Sequence, residues 1–367
     1  MKKIVKWCIC VLIAAIIVFI AVYICLFAVP FSGNEELSEE FTSSVNVNDY
    51  YGDGASERVR LLDDPQESFT YRMNLIEQAQ GEIVFSVYTT TDSNTTHIFL
   101  GALLKKADEG VKVKMVFDGK FAMLSNKAKY ALMANENVEL YYYNEIKFLQ
   151  PSKLNACMHD KYLIVDGKYM IFGGRNVGDY CYADESYDGD LTLDREVLVY
   201  DSQKTDGGAI DQVREYFDQV VSEDVCGLKD GLSDGKRKKG EAYAKELVSL
   251  SEEYYSEKGV YIDYSAETVA VNKITLVTNP THAGRKEARV GYTLYKLALN
   301  SDKVFIQSPY VALDSEHLSY FTGLTKTCES VTLLTNSIGT TPNLPAYSNY
   351  YVRRKSLVEG GIDIYEY

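Results

Sequence analysis

His159 and Lys161 stand two positions apart in the run His159-Asp-Lys161-Tyr-Leu-Ile-Val-Asp166. The apolar stretch after them reads as a strand, and alternate residues of a strand share a face, so imidazole and ammonium point the same way. That pair suits attack on a phosphate ester: the lysine holds the anion while the imidazole bonds covalently to phosphorus. Gly173-Gly174-Arg-Asn176 follows. The glycines let backbone approach a ligand closely, and the Asn176 amide can donate to a phosphoryl oxygen. Asp166 has the opposite parity to His159. With Gly167 it forms a D-G pair between two apolar runs, a hairpin signal that predicts a structural role for Asp166. Two further matches carry less. Gly231-Leu-Ser-Asp-Gly235 fits G-x-S-x-G, but charges surround it and no apolar strand precedes it, as a nucleophile elbow requires. Tyr141-Tyr-Tyr143 could stack a base or a headgroup, but its place at a strand end points to core and rim packing.

The elements that must position these residues alternate from residue 56 onward. Strands are predicted at 83–90, 111–118 and 138–143, with helices at 97–110 and 121–135 between them; Leu100, Leu103, Leu104 and Ala107 form the inward face of the first helix. This βαβαβ order implies a buried, mostly parallel sheet. It returns later, with strands at 304–309, 331–336 and 362–366 and helices at 316–328 and 351–360. Ser86-Val-Tyr88 answers Ser308-Pro-Tyr310, and Val116-Phe-Asp118 answers Leu334-Thr-Asn336, as expected of two copies of one unit. The predicted organisation is an anchor at 1–30, a stalk at 31–55, and a first half at 56–221 that carries the motif. A charged helical connection at 222–267 and a second, incomplete half at 268–367 follow. Lys236-Arg-Lys-Lys239 in the connection reads as a solvated face rather than a lipid-holding site.

The full spacing H-x-K-x4-D-x6-G-G-x-N resembles the signature of the phospholipase D superfamily, and its continuation GGRNVGDYC at 173–181 resembles the cardiolipin synthase branch. Leu334-Thr-Asn336-Ser337 and the segment 360–366 resemble the second half of that branch. The resemblance implies an α/β fold of two similar halves, each a parallel-rich sheet flanked by helices, with one motif per half. One histidine would form a phosphohistidine while the other protonates the leaving alcohol, and the intermediate would pass to water or to a second alcohol. It implies catalytic roles for His159, Lys161, Asp166 and Asp194, with Asp194 orienting the imidazole and Glu196 as second choice. Lys161, Gly174 and Asn176 would bind the substrate phosphate. No metal or other cofactor is required. The implied activity is phosphatidyl transfer on an anionic phospholipid, with cardiolipin made from two phosphatidylglycerol molecules. The alternatives are hydrolysis of phospholipid or nucleic acid, and an inactive truncated or scaffold form. Only one H-x-K is present; His97, His282 and His317 begin none. Carrying the spacing from Ser86 and Asp118 to His159 onto the second copy projects its motif to about position 377–381. The expectation is therefore a chain truncated before its second motif, with completion of the site by a homodimer as the competing one.

Residues 7–29 contain no charged or strongly polar side chain. As a helix they rise about 35 Å, enough to cross a hydrocarbon core of about 30 Å. The run is longer than a signal-peptide core, and Ala28-Val-Pro30 is a poor cleavage site, so a retained membrane anchor is predicted. Lys2, Lys3 and Lys6 precede it and acidic residues follow, which puts the N-terminus in the cytoplasm and the body outside, on a single-pass plasma-membrane protein. The net charge is −14 and all 52 acidic residues lie beyond residue 30, which argues against a broad nucleic-acid surface. At 46% hydrophobic and 25% charged residues, the chain is not intrinsically disordered. Cys8, Cys10 and Cys25 sit in the anchor; Cys157, Cys181, Cys226 and Cys328 contain no C-x-x-C pair, so zinc is not expected, and no disulfide follows from their spacing.

Overall fold

The computed structural model describes residues 2–28, 33–183, 187–259 and 261–367. The junction at 29–32, where the predicted anchor meets the predicted stalk and where Pro30 of the rejected cleavage site falls, lies outside the described residues. The N-terminal helix runs Lys2–Ala28, and the side chains of its apolar stretch Lys3–Leu26 are exposed apart from the half-buried Tyr23.

Two compact units follow, the first built mainly on 51–276 and the second on 33–50 and 285–367. Strands of the first unit are β1 (Glu57–Leu62), β2 (Glu82–Val87), β3 (Lys112–Asp118), β4 (Val138–Tyr143), β5 (Tyr162–Val165), β6 (Tyr169–Gly173), β7 (Glu196–Asp201), β8 (Cys226–Leu228) and β9 (Val269–Ala270). They form one sheet in the order β8-β4-β3-β2-β5-β6-β7-β1-β9. Only β2–β3 and β3–β4 pair in parallel; the other ladders are antiparallel. The prediction of a parallel-rich sheet is therefore corrected here to a mixed one. The cause is local: Asp166 and Gly167, at φ 54° and 60°, fold β5 back on β6 in a two-residue turn, and no helix crosses between them.

Both faces of this sheet are covered, which explains why β2 and β3 read as nearly unbroken apolar runs. Ile83, Phe85, Met115 and Phe117 face a core closed by helices Pro65–Glu77, Asn94–Asp108 and Asn126–Ala134. Val84 and Val116 face the other side, closed by Ile210, Val213 and Phe217 of helix Ala209–Ser222. Helix Asp234–Lys258 lies across Asn94–Asp108 and Asn126–Ala134. A Cβ at Gly101 or Gly240 would collide with the carbonyls of Leu247 and Tyr130, so the helices approach to backbone contact. The segment predicted as a connection is thus part of the first unit. Its basic run Lys236–Lys239 is exposed in the helix's first turns.

In the second unit β10 (Lys303–Gln307), β11 (Ser330–Thr335) and β12 (Asp363–Glu366) form a wholly parallel sheet over a core that includes Val331, Leu333, Tyr350 and Leu357. Residues 33–50, predicted as a stalk, are tied into this unit. Glu35 N–H donates to the Lys286 carbonyl at 3.0 Å, and Ser38 N–H to Glu287 Oε1 at 2.7 Å. Those Ser38 bonds, with Arg289, hold the Glu287 carboxyl down at about 2.

The repeat holds in its last two strands. Asp118 lies opposite Tyr143, with Gly119 N–H bonded to the Tyr143 carbonyl at 2.7 Å; Ser337 N–H meets the Tyr367 carbonyl at 3.1 Å in the corresponding place. In the first strand the sequence match slips by one. Ser86 pairs with Val116, whereas Leu334 pairs with Gln307, so Gln307 and not Ser308 corresponds to Ser86. The second copy leaves the ladder one residue sooner, where Pro309 has no N–H to extend it.

Candidate active site

His159 and Lys161 immediately precede β5, at the centre of the sheet. The segment leading to them has no regular structure, so its carbonyls and amides need side-chain partners. Asn144 Nδ2 donates to the Lys153 and Ala156 carbonyls at 2.6 and 2.8 Å, and Lys120 Nζ to the Leu154 carbonyl at 3.1 Å. Asp118, fully buried at the end of β3, accepts from Met158 N–H at 2.9 Å, one residue before the histidine. Burial pushes the Asp118 carboxyl up, against the backbone N–H bonds it accepts from Lys120, Met158 and Phe121. On the other side Asp160 accepts from the Tyr216 hydroxyl at 2.8 Å. Sequence reasoning assigned no role to Asp118, Lys120, Asn144 or Tyr216; the position of Asp118 at the strand end, answered by Asn336, was the one available signal.

Lys161 is 5% exposed and His159 is exposed at the mouth. Lys161 Nζ lies 3.1 Å from His159 Nδ1 and donates to the His159 carbonyl at 2.6 Å. The Tyr88 ring covers one face of the imidazole, centroid to centroid 4.4 Å, and lies 5.3 Å from the ammonium. Burial and, after it, the Lys161 charge push the imidazole down to about 4. Burial also pushes Lys161 down to about 8, partly offset by the carboxylates of Asp160 and Asp194. At neutral pH the site therefore holds an uncharged imidazole beside an ammonium that is still mostly charged. This is the protonation state that a nucleophile and an anion ligand each need.

Gly173 N–H donates to the Lys161 carbonyl at 3.2 Å, which sets the glycine pair beside the lysine. A Cβ at Gly174 would collide with the Asp194 carboxylate. Asn176 Oδ1 accepts from Thr89 N–H at 3.1 Å, so the amide group is turned to donate, and the Tyr180 hydroxyl lies beside it. His159, Lys161, Gly174 and Asp194 thus cluster, with Asn176 on the same loop. Asp194 accepts from its own neighbour, Arg195 N–H, at 2.7 Å; the group found against the imidazole nitrogen is Lys161.

Two sequence candidates are placed elsewhere. Asp166 lies at the opposite end of β5, about 23 Å along the chain from His159 at strand rise. Its carboxylate accepts from Gln80, Gly81 and Glu82 N–H at 2.9, 2.7 and 3.0 Å. Its inclusion among the catalytic residues is corrected: it binds a turn. Glu196 is fully buried between Arg72 and Arg175, and Ser68 Oγ donates to it at 2.5 Å. Burial pushes its carboxyl up, but the Arg72 charge and bonds outweigh that and hold it low. Glu196 is committed to this internal ion cluster and cannot orient the imidazole. Its odd-numbered neighbours in β7 face the other way, a parity that sequence could not tie to either core.

The remaining histidines are held by local acids where contacts are described: His97 by Asp92 at 2.6 Å and His317 by Asp314 at 2.8 Å. All seven cysteines are free thiols. Of the weaker motifs, Ser233 caps helix Asp234–Lys258, and Tyr142 and Tyr143 are buried in the two cores.

The domain is thus an α/β unit whose mixed sheet has, just before its central strand, a histidine–lysine pair beside a Gly-Gly-x-Asn loop. Residues 73–221 match the family model described as cardiolipin synthase, PLD-like domain. A Helicobacter pylori protein described as uncharacterized is 24% identical over 335 residues, covering 83% of this chain and 64% of that one. Cardiolipin synthase C of Escherichia coli is 22% identical over 325 residues, 83% of this chain and 68% of the relative. The chain spans less than two thirds of the length of the Helicobacter protein. The fold is shared with phosphatidylserine synthase of Haemophilus influenzae, at a TM-score of 0.56 and 12% identity over 89% of this chain and 76% of that one.

Proposed function

We propose that this protein is a membrane-tethered phosphatidyltransferase that makes cardiolipin from two phosphatidylglycerol molecules. The observation that carries the reading is the His159 imidazole 3.1 Å from Nζ of the buried Lys161, in a segment similar to the cardiolipin synthase, PLD-like domain. In the proposed reaction Lys161, Gly174 N–H and Asn176 hold the phosphodiester, and His159 attacks phosphorus. The P–N bond forms as the P–O bond to glycerol breaks, and the glycerol oxygen takes a proton from a second acid. A hydroxyl of the second phosphatidylglycerol then attacks, gives its proton to the conjugate base of that acid, and the P–N bond breaks, which returns His159 and the acid to their starting states. Asp194, packed on Gly174, supplies the negative charge that steadies the imidazolium-like intermediate.

One imidazole bonded to phosphorus cannot also protonate the leaving oxygen, so a second acid is required. The 367 residues contain one H-x-K. As a monomer, this chain is expected to bind phosphate-bearing headgroups at the His159 pocket and to turn over negligibly; a further H-x-K segment, or a second copy of the chain, would complete the site. Helix Lys2–Ala28 would hold the pocket against the bilayer, with the body outside the cytoplasm. The test measures conversion of phosphatidylglycerol to cardiolipin in detergent micelles across a protein dilution series, with His159→Ala as control. Turnover that survives dilution in the chain alone refutes the two-acid requirement; turnover retained by His159→Ala refutes the assignment of the nucleophile. Phosphatidic acid as the sole product would mean that water, and not a lipid hydroxyl, is the acceptor.

A further inference from the structure

Ile146, Phe148 and Leu149 stand within four positions of a loop and are 53%, 74% and 97% exposed. Single exposed apolar side chains are ordinary; three at one loop tip are not. The loop is not loose. Gln150 N–H closes a tight turn on the Lys147 carbonyl at 2.8 Å, and Asn144 binds the Lys153 and Ala156 carbonyls, which ties the loop's start to its end. The same stem is what delivers His159 three residues later. A second observation concerns the neighbour of this loop: its turn Pro151–Lys153 packs against helix Lys2–Ala28. With that helix read as the membrane span, the turn at its side brings the adjoining loop to the bilayer interface. Lys147 sits between the apolar side chains, the arrangement by which interfacial segments combine apolar insertion with attraction to anionic headgroups.

We propose that loop 144–150 is an interfacial wedge that inserts Ile146, Phe148 and Leu149 into the headgroup–acyl boundary of an anionic lipid surface and so holds the His159 pocket at the depth of lipid phosphates. The proposal rests on the reading of helix Lys2–Ala28 as a membrane span and of the substrate as a lipid. It adds a surface that neither requires: the helix alone would tether the body at any tilt, whereas a rigid loop stemming into His159 sets the height of the pocket.

The test uses the full chain with Trp7→Phe, which removes its one tryptophan, and Leu149→Trp, which places an indole where the side chain is almost fully exposed. The protein is reconstituted into phosphatidylcholine–phosphatidylglycerol vesicles, with and without bromine on the acyl chains. The expected result is blue-shifted emission, quenching by the brominated chains and loss of acrylamide quenching relative to free indole in the same buffer. Emission at the wavelength of free indole, with full acrylamide quenching and none by bromine, overturns the wedge. Phe148→Trp in the same background repeats the measurement should the first variant fold poorly. Because the readout needs no turnover, its failure beside intact cardiolipin formation counts against the wedge alone. Bromine quenching beside absent transfer when a further H-x-K segment is supplied counts against the catalytic reading alone.

Discussion

Asp166→Ala is expected to weaken the fold and leave the chemistry of the folded fraction alone, although Asp166 completes the histidine–lysine–aspartate signature. The carboxylate accepts three backbone N–H bonds from the turn at residues 80–82. A hydrogen bond to a charged group contributes about 1.5–3 kcal/mol when buried. These bonds lie at the surface, where water replaces a lost acceptor, so about 1 kcal/mol each is appropriate, or ~3 kcal/mol in all. Alanine at φ 54° adds about 1 kcal/mol of backbone strain, which asparagine largely avoids. For a unit of this size the combined loss of about 4 kcal/mol corresponds to a fall in Tm of about 8–16 °C for Asp166→Ala, and less than half of that for Asp166→Asn. The assay is thermal unfolding by circular dichroism in detergent, with kcat measured well below the transition on the protein supplied with a further H-x-K segment. A kcat reduced a hundredfold or more with an unchanged Tm would refute the structural assignment, because nothing about a turn 23 Å away (about the strand-rise distance) predicts it.

The shifted groups set a pH profile. The nucleophile acts when His159 is deprotonated, so kcat/KM should rise as pH increases through about 4, and the anion ligand acts when Lys161 is protonated, so it should fall as pH increases through about 8. A basic limb set by lysine at its ordinary value would show that Lys161 is not desolvated in solution. Lys161→Met removes the like charge beside the imidazole and should raise the His159 pKa, read as a shift to higher pH in the rate of diethylpyrocarbonate modification of that residue; an unmoved profile would mean the two groups do not interact. Glu196→Ala leaves the guanidiniums of Arg72 and Arg175 buried without their counter-charge and should cost about 3–5 kcal/mol in denaturant unfolding, whereas a loss below about 1 kcal/mol would show that the cluster opens to water.

Much of the site was legible because strand parity is a local property. That His159 and Lys161 share a face, and that Asp166 with Gly167 turns the chain, follow from covalent geometry, and the structure contains both the 3.1 Å contact and the turn. What parity could not tell is which face of β7 looks at which core. Asp194 and Glu196 are two residues apart and look interchangeable in sequence; only Arg72 and Arg175, brought from a helix and from the loop after β6, claim Glu196. Asp118 was visible as the end of a repeated strand, yet its bond to Met158 joins residues forty apart in the chain. Likewise the slip between Ser86 and Ser308 could be corrected only by pairing, since register is a relation between strands.

The sequence by itself determined the apolar helix, the alternation of elements, the duplicated βαβαβ order and the adjacency of His159 and Lys161, because each depends on neighbours within a few residues. Tertiary structure decided that the sheet is mixed, that helix Asp234–Lys258 belongs to the first unit, and that residues 33–50 belong to the second. It also supplied the burial that pushes both members of the pair toward lower pKa. Hydropathy can mark a segment as buried or charged, but the partner that buries it, and the charge that faces it, come from parts of the chain whose distance only folding removes.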